Sequence, residues 1–422
     1  MVVERRKPIS IGEAVVRVLQ YPLQLEVEHV HIGTSLDRIL AEDVVADHDV
    51  PPFDRSPYDG FALRAEDTRH ASTDSPVTLE VIEEIGAGQV AKQKIEAGQA
   101  IRIMTGAAIP EGATAVSMFE VVKETKRDTK ATIELKRSFK EGQNIAKQGE
   151  DTEEGSMLIQ KGTIITPGVI AILSTFGYSN VSVWRKPRIG IYATGTELLD
   201  IDEPLQPGKI RNSNAYMIAA QIRNMGGEPV YLGKLADDFQ TCFEAVKSSI
   251  EVYDALITTG GVSVGDFDYL PDIYQELGAR TLFNKIAMRP GSVTTVAELN
   301  GKLLFGLSGN PSACFVGGEL LVRPFILKSM QSNPFLAKTR ATLSKDFPKP
   351  NPFTRLVRSQ VNYSPKGVYV TPTGLDKSSS VTAIAEADAF IILPGGTRGF
   401  MAGDEVDVML FSKESSSNPW EV

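Results

Sequence analysis

Short apolar runs that stop at glycine-rich turns recur through the middle of the chain, alternating with stretches whose apolar residues fall at helical spacing. Residues 188–193 read as a strand ending at Thr194-Gly195-Thr196-Glu197. The next pattern predicts a helix over 212–225, with Asn212 or Ser213 as N-cap, apolar Tyr216, Ile218, Ile222 and Met225, and Gly226-Gly227 as its stop. Residues 230–235 form a second strand ending at Ala236-Asp237-Asp238, and 239–253 place Phe239, Cys242, Val246 and Ile250 on one helix face. Ala255-Leu256-Ile257 has the character of a buried strand; it ends at Thr258-Thr259-Gly260-Gly261 and opens into a loop with Ser263, Asp266 and Asp268. A helix over 269–277, a strand at 302–307 and one long helix over 312–330 complete the series. Strands alternating with helices imply a parallel sheet with right-handed crossovers.

Polar residues sit at one repeated place in this pattern. Glu197, Asp237, the Asp266/Asp268 pair and Ser308-Gly309-Asn310-Pro311 each follow a strand and precede its helix. In a parallel sheet those ends share one edge, where ligands bind at a switch point. Asp, Gly and Asn are also ordinary N-caps and loop starters, which accounts for some of these positions taken singly. It does not account for Lys285 and Arg289 nearby. Carboxylates, lysine and arginine together, beside glycines that admit close backbone approach, describe a metal-bridged phosphate or oxyanion site.

The flanking regions have a different texture. Residues 46–144 are β-rich, with strands predicted at 77–81, 100–104, 115–123 and 132–136 and a charged hairpin tip at 124–130. Residues 1–45 and 145–183 on either side form one discontinuous domain, 184–331 the α/β domain, and 332–422 a small C-terminal β-domain of barrel-like character. Its predicted strands are 355–361, 368–371, 389–393 and 405–411. The fold class is multidomain α/β plus β. Gly86-Ala-Gly88-Gln-Val-Ala91 matches a dinucleotide fingerprint but lacks a βαβ unit around it, so it reads as a loop. Taken by themselves, Asp59 of Tyr58-Asp59-Gly60 reads as a turn residue and Thr105 as a strand end.

Composition removes several function classes. A formal net charge of −9 and 23% charged residues in 422 argue against nucleic acid or a polybasic membrane surface as partner. The longest apolar stretch, 315–327, is interrupted by Arg323 and by glycines, so no membrane span is expected. Basic residues 5–7 are followed by no apolar segment of signal-peptide type, and Cys242 and Cys314 lie far apart, which suits reduced thiols in the cytoplasm. All four histidines fall in the first seventy residues. A zinc site or a Ser-His-Asp triad on the glycine loop would need a remote histidine, so oxygen ligands and a Mg²⁺-type cation are expected.

Read in order, Pro51-Pro52-Phe53, Asp59-Gly60-Phe61-Ala62, Arg102-Ile-Met-Thr-Gly106, Gly149-Glu-Asp151, Ala193-Thr-Gly-Thr-Glu197, Thr259-Gly-Gly-Val-Ser-Val-Gly265 and Gly309-Asn-Pro311 resemble the molybdopterin molybdenumtransferases, the molybdenum insertases related to the C-terminal domain of gephyrin. The resemblance runs from about residue 10 to 411. It implies an elongated four-domain homodimer whose α/β domain is similar to the pterin-adenylylating proteins of the same pathway. It further implies insertion of molybdate into adenylylated molybdopterin, with release of AMP and the help of Mg²⁺. Carried over by motif, Glu197, Asp237 and Asp268 would serve the metal and the substrate. Lys285 and Arg289 would face the phosphate or molybdate, and Thr259, Gly260, Gly261, Ser263, Ser308, Gly309, Asn310 and Pro311 would cradle the pterin and its phosphate. Asp59, Thr105 and Asp151 would complete the cleft across the dimer, with Arg358 and Ser378 from the last domain. Ser292 stands where the family commonly has lysine, and Ser308 where it has proline. An adenylyltransferase, or a scaffold of the same fold that has lost turnover, are the alternatives. The pathway's adenylyltransferase and molybdoenzymes are the candidate protein partners.

Overall fold

A computed structural model describes residues 7–127, 130–235, 238–261 and 269–411. The chain divides into two compact units, one of residues 1–42, 161–170 and 179–422 and the other of residues 43–160 and 171–178.

The first unit is built on a six-stranded sheet. Its strands are β1 (Arg188–Thr194), β2 (Glu228–Leu235), β3 (Ala255–Thr259), β4 (Arg280–Phe283), β5 (Thr295–Leu299) and β6 (Lys302–Leu307), in the order β2-β1-β3-β6-β5-β4. The first four are parallel, as the alternation predicts, whereas the β6–β5 and β5–β4 pairings are antiparallel. The expected all-parallel sheet is therefore a mixed one. The β5–β6 reversal needs only the turn at Asn300-Gly301, with both residues at positive φ, so no crossover helix intervenes.

Helices cover both faces of the sheet. Helix α1 (Asn214–Asn224) and the segment from Pro311 to Ser329 bury Ile218, Ile222, Val316 and Phe325 against Ile189, Ile191, Ile257 and Phe305. On the other face α2 (Phe239–Val252) and α3 (Leu270–Glu276) bury Val246, Ile250, Ile273 and Tyr274 against Leu256 and Leu304. Neighbouring residues of β3 thus point into different cores, which is why its sequence is apolar without alternation. Asp238 caps α2, accepting from the hydroxyl and N–H of Thr241 at 2.6 and 2.8 Å, and those bonds hold its carboxyl below the ordinary range.

The single helix predicted over 312–330 is three pieces: α4 (Pro311–Gly317), a π-helical turn (Gly318–Val322) and α5 (Arg323–Ser329). Pro324 supplies the reason, since it has no N–H and its ring crowds the carbonyl four residues back. Glu319, on the wide turn, accepts from Arg323 Nε at 2.6 Å and from Gln221 Nε2 of α1 at 2.8 Å, in a buried network.

The C-terminal strands β7 (Lys338–Leu343), β8 (Thr354–Ser364), β9 (Gly367–Pro372), β10 (Ala389–Leu393) and β11 (Glu405–Leu410) run in the order β8-β9-β7-β11-β10. Strand β8 is long enough to pair with β9 through its second half and with β10 through its first. The sheet closes on itself as a five-stranded barrel, as the barrel-like expectation has it. A short strand, Met288–Arg289, joins alongside the start of β8.

The second unit holds another six-stranded sheet, in the order Ala115–Met118, Gly60–Leu63, Gln99–Ile103, Val77–Ile85, Lys130–Leu135, Val122–Arg127. The single strand predicted over 115–123 is broken by a 3₁₀ turn at Phe119–Val121, and its two halves form opposite edges of the sheet. Phe119 packs edge-on to Phe61 and lies under the Arg102 guanidinium at 4.4 Å. The fingerprint at 86–91 is a turn, with Gly86 N–H donating to Gln89 Oε1 at 2.8 Å and no helix after it.

Candidate functional site

In the order β2-β1-β3-β6 the chain leaves β1 toward β2 and returns on the other side of β1 to β3, so the switch point lies between β1 and β3. A cleft of about 930 Å³ opens there. Glu197 follows β1, Gly260 and Gly261 follow β3, and Ser308, Gly309, Asn310 and Pro311 follow β6; all of them line it. The barrel contributes Arg355, Arg358, Asp376 and Ser378, and the Met288–Arg289 strand presents Arg289.

The glycine pair is forced by sterics. Gly260 has φ of 119°, and a Cβ on it would lie 2.4 Å from Thr194 Oγ1 of the neighbouring strand. Its N–H donates to Leu307 O on the other side at 2.8 Å. The turn is thereby threaded between β1 and β6, with the backbone itself facing the cleft. Gly260→Ala is expected to move this turn and to weaken binding of an anionic ligand at least tenfold, measured by titration calorimetry. Wild-type affinity in the variant would show that the turn has room to spare.

Charge in the cleft is mainly positive. Arg289 is exposed, and its guanidinium has no partner among the described residues. Arg358 is 1% exposed; it donates to Leu375 O and Lys377 O at 3.2 and 3.3 Å, lies 3.6 Å from Asp376, and keeps Nε unbonded. Burial pulls its pKa down against the attraction of Asp376. Arg355 donates to Asp376 at 2.6 Å and to Asn351 Oδ1 at 2.7 Å. Ser308 Oγ accepts from Asn310 N–H at 3.2 Å, which leaves its own proton for a ligand. Opposing these groups is Glu197, whose carboxylate folds over Gly195 with no ion-pair or hydrogen-bond partner among the described residues.

The barrel loop is tied directly to the α/β part. Ser312, fully buried in the first turn of α4, donates its N–H to Ser378 O at 2.9 Å and its hydroxyl to Ser380 O at 2.7 Å. That contact sets Ser378 and the neighbouring Asp376 in the cleft wall.

Of the residues singled out by sequence, Glu197, Gly260, Gly261, Arg289, Ser308, Gly309, Asn310, Pro311, Arg358 and Ser378 line one cleft. Thr259 is buried at the end of β3 with its hydroxyl unbonded among the described residues. Asp237, Ser263, Asp266 and Asp268 lie outside the described residues. Lys285 is not among the residues lining the cleft; its backbone carbonyl accepts from Ile9 N–H at 3.1 Å. Arg211, Arg355 and Asp376 also line the cleft and were not singled out. Arg355 and Arg358 have opposite parity along a strand, so alternation would never have placed them together. Among the described residues no three His, Cys, Asp or Glu side chains gather in a metal-binding group.

In the second unit Asp59 Oδ1 accepts from the Thr105 N–H at 2.7 Å and from its hydroxyl at 2.8 Å. These bonds, the backbone one first, hold the Asp59 carboxyl below the ordinary range. Asp151 is exposed and held at the far end of the 50–59 segment, its N–H donating to Val50 O at 3.0 Å. A depressed carboxyl pKa contributes stability above the unfolded value and loses it as pH falls through the folded one. Thr105→Val keeps the backbone bond and deletes the hydroxyl one, so it should raise the Asp59 pKa only part of the way and remove only part of that contribution, read from the carboxyl ¹³C shift in an acid titration. An unmoved titration would mean that the hydroxyl does not stabilise the carboxylate and that the backbone N–H alone holds it.

The same architecture is found in known proteins. Three family descriptions match successive parts of the chain: MoeA N-terminal region (domain I and II) over 9–177, probable molybdopterin binding domain over 190–328, and MoeA C-terminal region (domain IV) over 340–411. The molybdopterin molybdenumtransferase of Bacillus subtilis is 57% identical over 421 residues, covering 99% of this chain and 98% of its own. The chain belongs to the molybdopterin molybdenumtransferase family. A Staphylococcus aureus molybdopterin molybdenumtransferase is 47% identical over 419 residues, 99% of both chains. The crystal structure of the molybdopterin biosynthesis MoeA protein of Pyrococcus horikoshii superposes with a TM-score of 0.82 at 32% identity, covering 96% of this chain and all of that one. The barrel and the mixed sheet are therefore features of the molybdenumtransferase fold.

Proposed function

We propose that this chain is a molybdopterin molybdenumtransferase, an enzyme of molybdenum cofactor biosynthesis that inserts molybdenum into molybdopterin. The observation that carries this reading is the cleft at the switch point, where strand-end loops and barrel residues converge in a chain similar to such enzymes along its whole length. The incoming metal is molybdate and the pterin arrives adenylylated, so both substrates are anions and AMP is the leaving group. Arg289 and Arg358 attract and orient them, Ser308 donates to a phosphate or molybdate oxygen, and the Gly260-Gly261 backbone lets the ligand approach closely.

The residues present fit Mg²⁺. Such an ion takes one or two carboxylates and completes its shell with phosphate oxygens and water, and Glu197 offers an unpartnered carboxylate in the cleft. Asp237 and Asp268 are the further proposed ligands. When bound, the cation would neutralise charge on the substrate phosphates. Asp59, Thr105 and Asp151 remain proposed contributors to the reaction, Lys285 stands as the alternative to Arg289 for the cation at the anion, and the protein is proposed to act as a cytoplasmic homodimer. Among the described residues no helix is long and apolar enough to cross a membrane. The proposed division is 1–45 with 145–183, 46–144, 184–331 and 332–422.

An adenylyltransferase would need only the α/β portion. The barrel's Arg355, Arg358 and Ser378 in the cleft favour the insertase. The deciding assay follows AMP from adenylylated molybdopterin. Release is expected only with molybdate and Mg²⁺ together; release independent of molybdate would reject insertion.

A further inference from the structure

Helix α1 has a ligand cleft at its N-terminal end, where Ser213 lines the wall. Its other end borders a second, separate cavity of about 240 Å³. The wall there is formed by Arg223, Asn224, Met225 and Gly226 of the helix end, with Lys186, Asp37 and Arg323 as the charged groups and Leu36, Ile39, Ile164 and Leu327 as the apolar ones.

Arg323 is the unusual member. It is 6% exposed, yet among the described residues only its Nε is bonded, to Glu319. Its two terminal nitrogens have no hydrogen-bond partner among the described residues, and the residue lines this cavity. A buried guanidinium with an unused fork is costly unless something accepts from it. Lys186 and Arg223 are exposed at the same cavity and make no side-chain ion pair or hydrogen bond among the described residues. Cations near a helix C-terminus do complement its dipole, which accounts for Arg223 as a surface residue. That effect does not require a buried arginine to present two free donors to a cavity. Lys186, Arg223 and Arg323 stand against Asp37 at the wall and Glu319 behind Arg323, an excess of one positive charge. With a volume suited to one small ion with water, the open fork selects a compact anion with several acceptor oxygens.

We propose that this cavity is a binding site for a tetrahedral oxyanion, separate from the cleft, with Arg323 as its buried fork and Lys186 and Arg223 as its outer cations. The oxyanion is either a free inorganic ion or the terminal phosphate of an ester. It lies at the opposite end of α1 from the cleft, and that helix contacts the cleft loop through Asn214, whose Nδ2 donates to Gly309 O at 2.7 Å.

The test uses the full chain carrying Arg289→Ala, which weakens the cleft and leaves the cavity intact. Inorganic phosphate is titrated by calorimetry, and AMP in a parallel arm separates a free ion from an ester. A Lys186→Ala/Arg223→Ala pair added to that background changes only exposed residues, so folding is preserved. Phosphate binding is expected to weaken at least tenfold in the combined variant. A crystal soaked in tungstate should show anomalous density beside Arg323. Unchanged phosphate affinity in the combined variant, or tungstate density in the cleft alone, would overturn the proposal. Arg323→Lys, which keeps the charge and removes the fork, should weaken binding while retaining the wild-type circular dichroism; full affinity in that variant would remove Arg323 from the site.

Discussion

Asp376→Ala is expected to destabilise the C-terminal barrel by about 3–5 kcal/mol, the usual cost of removing one member from a buried ion network. Asp376 accepts from Arg355 at 2.6 Å and from Lys349 at 3.2 Å, and it lies 3.6 Å from Arg358. Arg355 and Arg358 are 12% and 1% exposed at their side chains, so without Asp376 two buried guanidinium groups would stand close together with no counter-charge. The loss should be read locally, because a chain of several domains does not unfold in one step. Hydrogen exchange at the amides of β8 and β10 is the measurement, and their protection should fall by about two to four orders of magnitude. A change below about 1 kcal/mol would show instead that solvent screens the network. The cleft should suffer too, because the loop bearing Asp376 also carries Ser378.

The second large effect is expected at Arg289. A preorganised cation at a site of developing negative charge contributes about 2–4 kcal/mol to the transition state, so Arg289→Ala should slow AMP release about a hundredfold or more. Stability should barely change, because the side chain is exposed and makes no bond within the described residues. The control is Lys285→Ala. The family resemblance sets Lys285 beside Arg289 at the phosphate or molybdate, but Lys285 is absent from the cleft lining. The loss should therefore follow Arg289, with Lys285 close to wild type. Equal losses at both positions would return Lys285 to the reaction, and mild effects at both would leave the anion to Arg358 and Ser308.

How much could be read beforehand depended on how many faces of an element are buried. Strands β3, β6 and β10 were legible because both faces are covered and each carries an unbroken apolar run, as in Ala255-Leu256-Ile257 and Leu303-Leu304-Phe305. Strand β7 was hidden: its buried position 339 is threonine, which blurs an alternation that runs Lys338 out, Thr339 in, Arg340 out, Ala341 in. Strands β4 and β5 escaped because they form an antiparallel edge with polar residues such as Thr281 and Glu298. The break in the 312–330 helix was written in Pro324 and was outweighed by the apolar run around it.

The cleft shows the same division. Its strand-end loops were legible because a parallel sheet must bring them to one edge, and no distance had to be known in advance. Arg355 and Asp376 were not legible. They are 21 residues apart and meet only because the barrel closes and its 375–380 loop reaches the start of α4. Nothing local in either segment records that closure.

The two hydrogen bonds from Ser312 to the barrel loop bear on where this chain can be cut. A version stopped after residue 331 would keep every strand of the central sheet, and by sequence it would look like a complete unit. Yet the first turn of α4 would begin with a buried N–H and a buried hydroxyl whose acceptors had been deleted. Losing both partners would cost about 1–3 kcal/mol for each donor left dry, at the very loop that follows β6. An independent α/β protein of this design would have to recruit water there, or replace Ser312 with a residue that asks for nothing. The boundary proposed at 331 would cut through this dependence, because the helix start at Ser312 is finished by residues encoded 66 to 68 positions later.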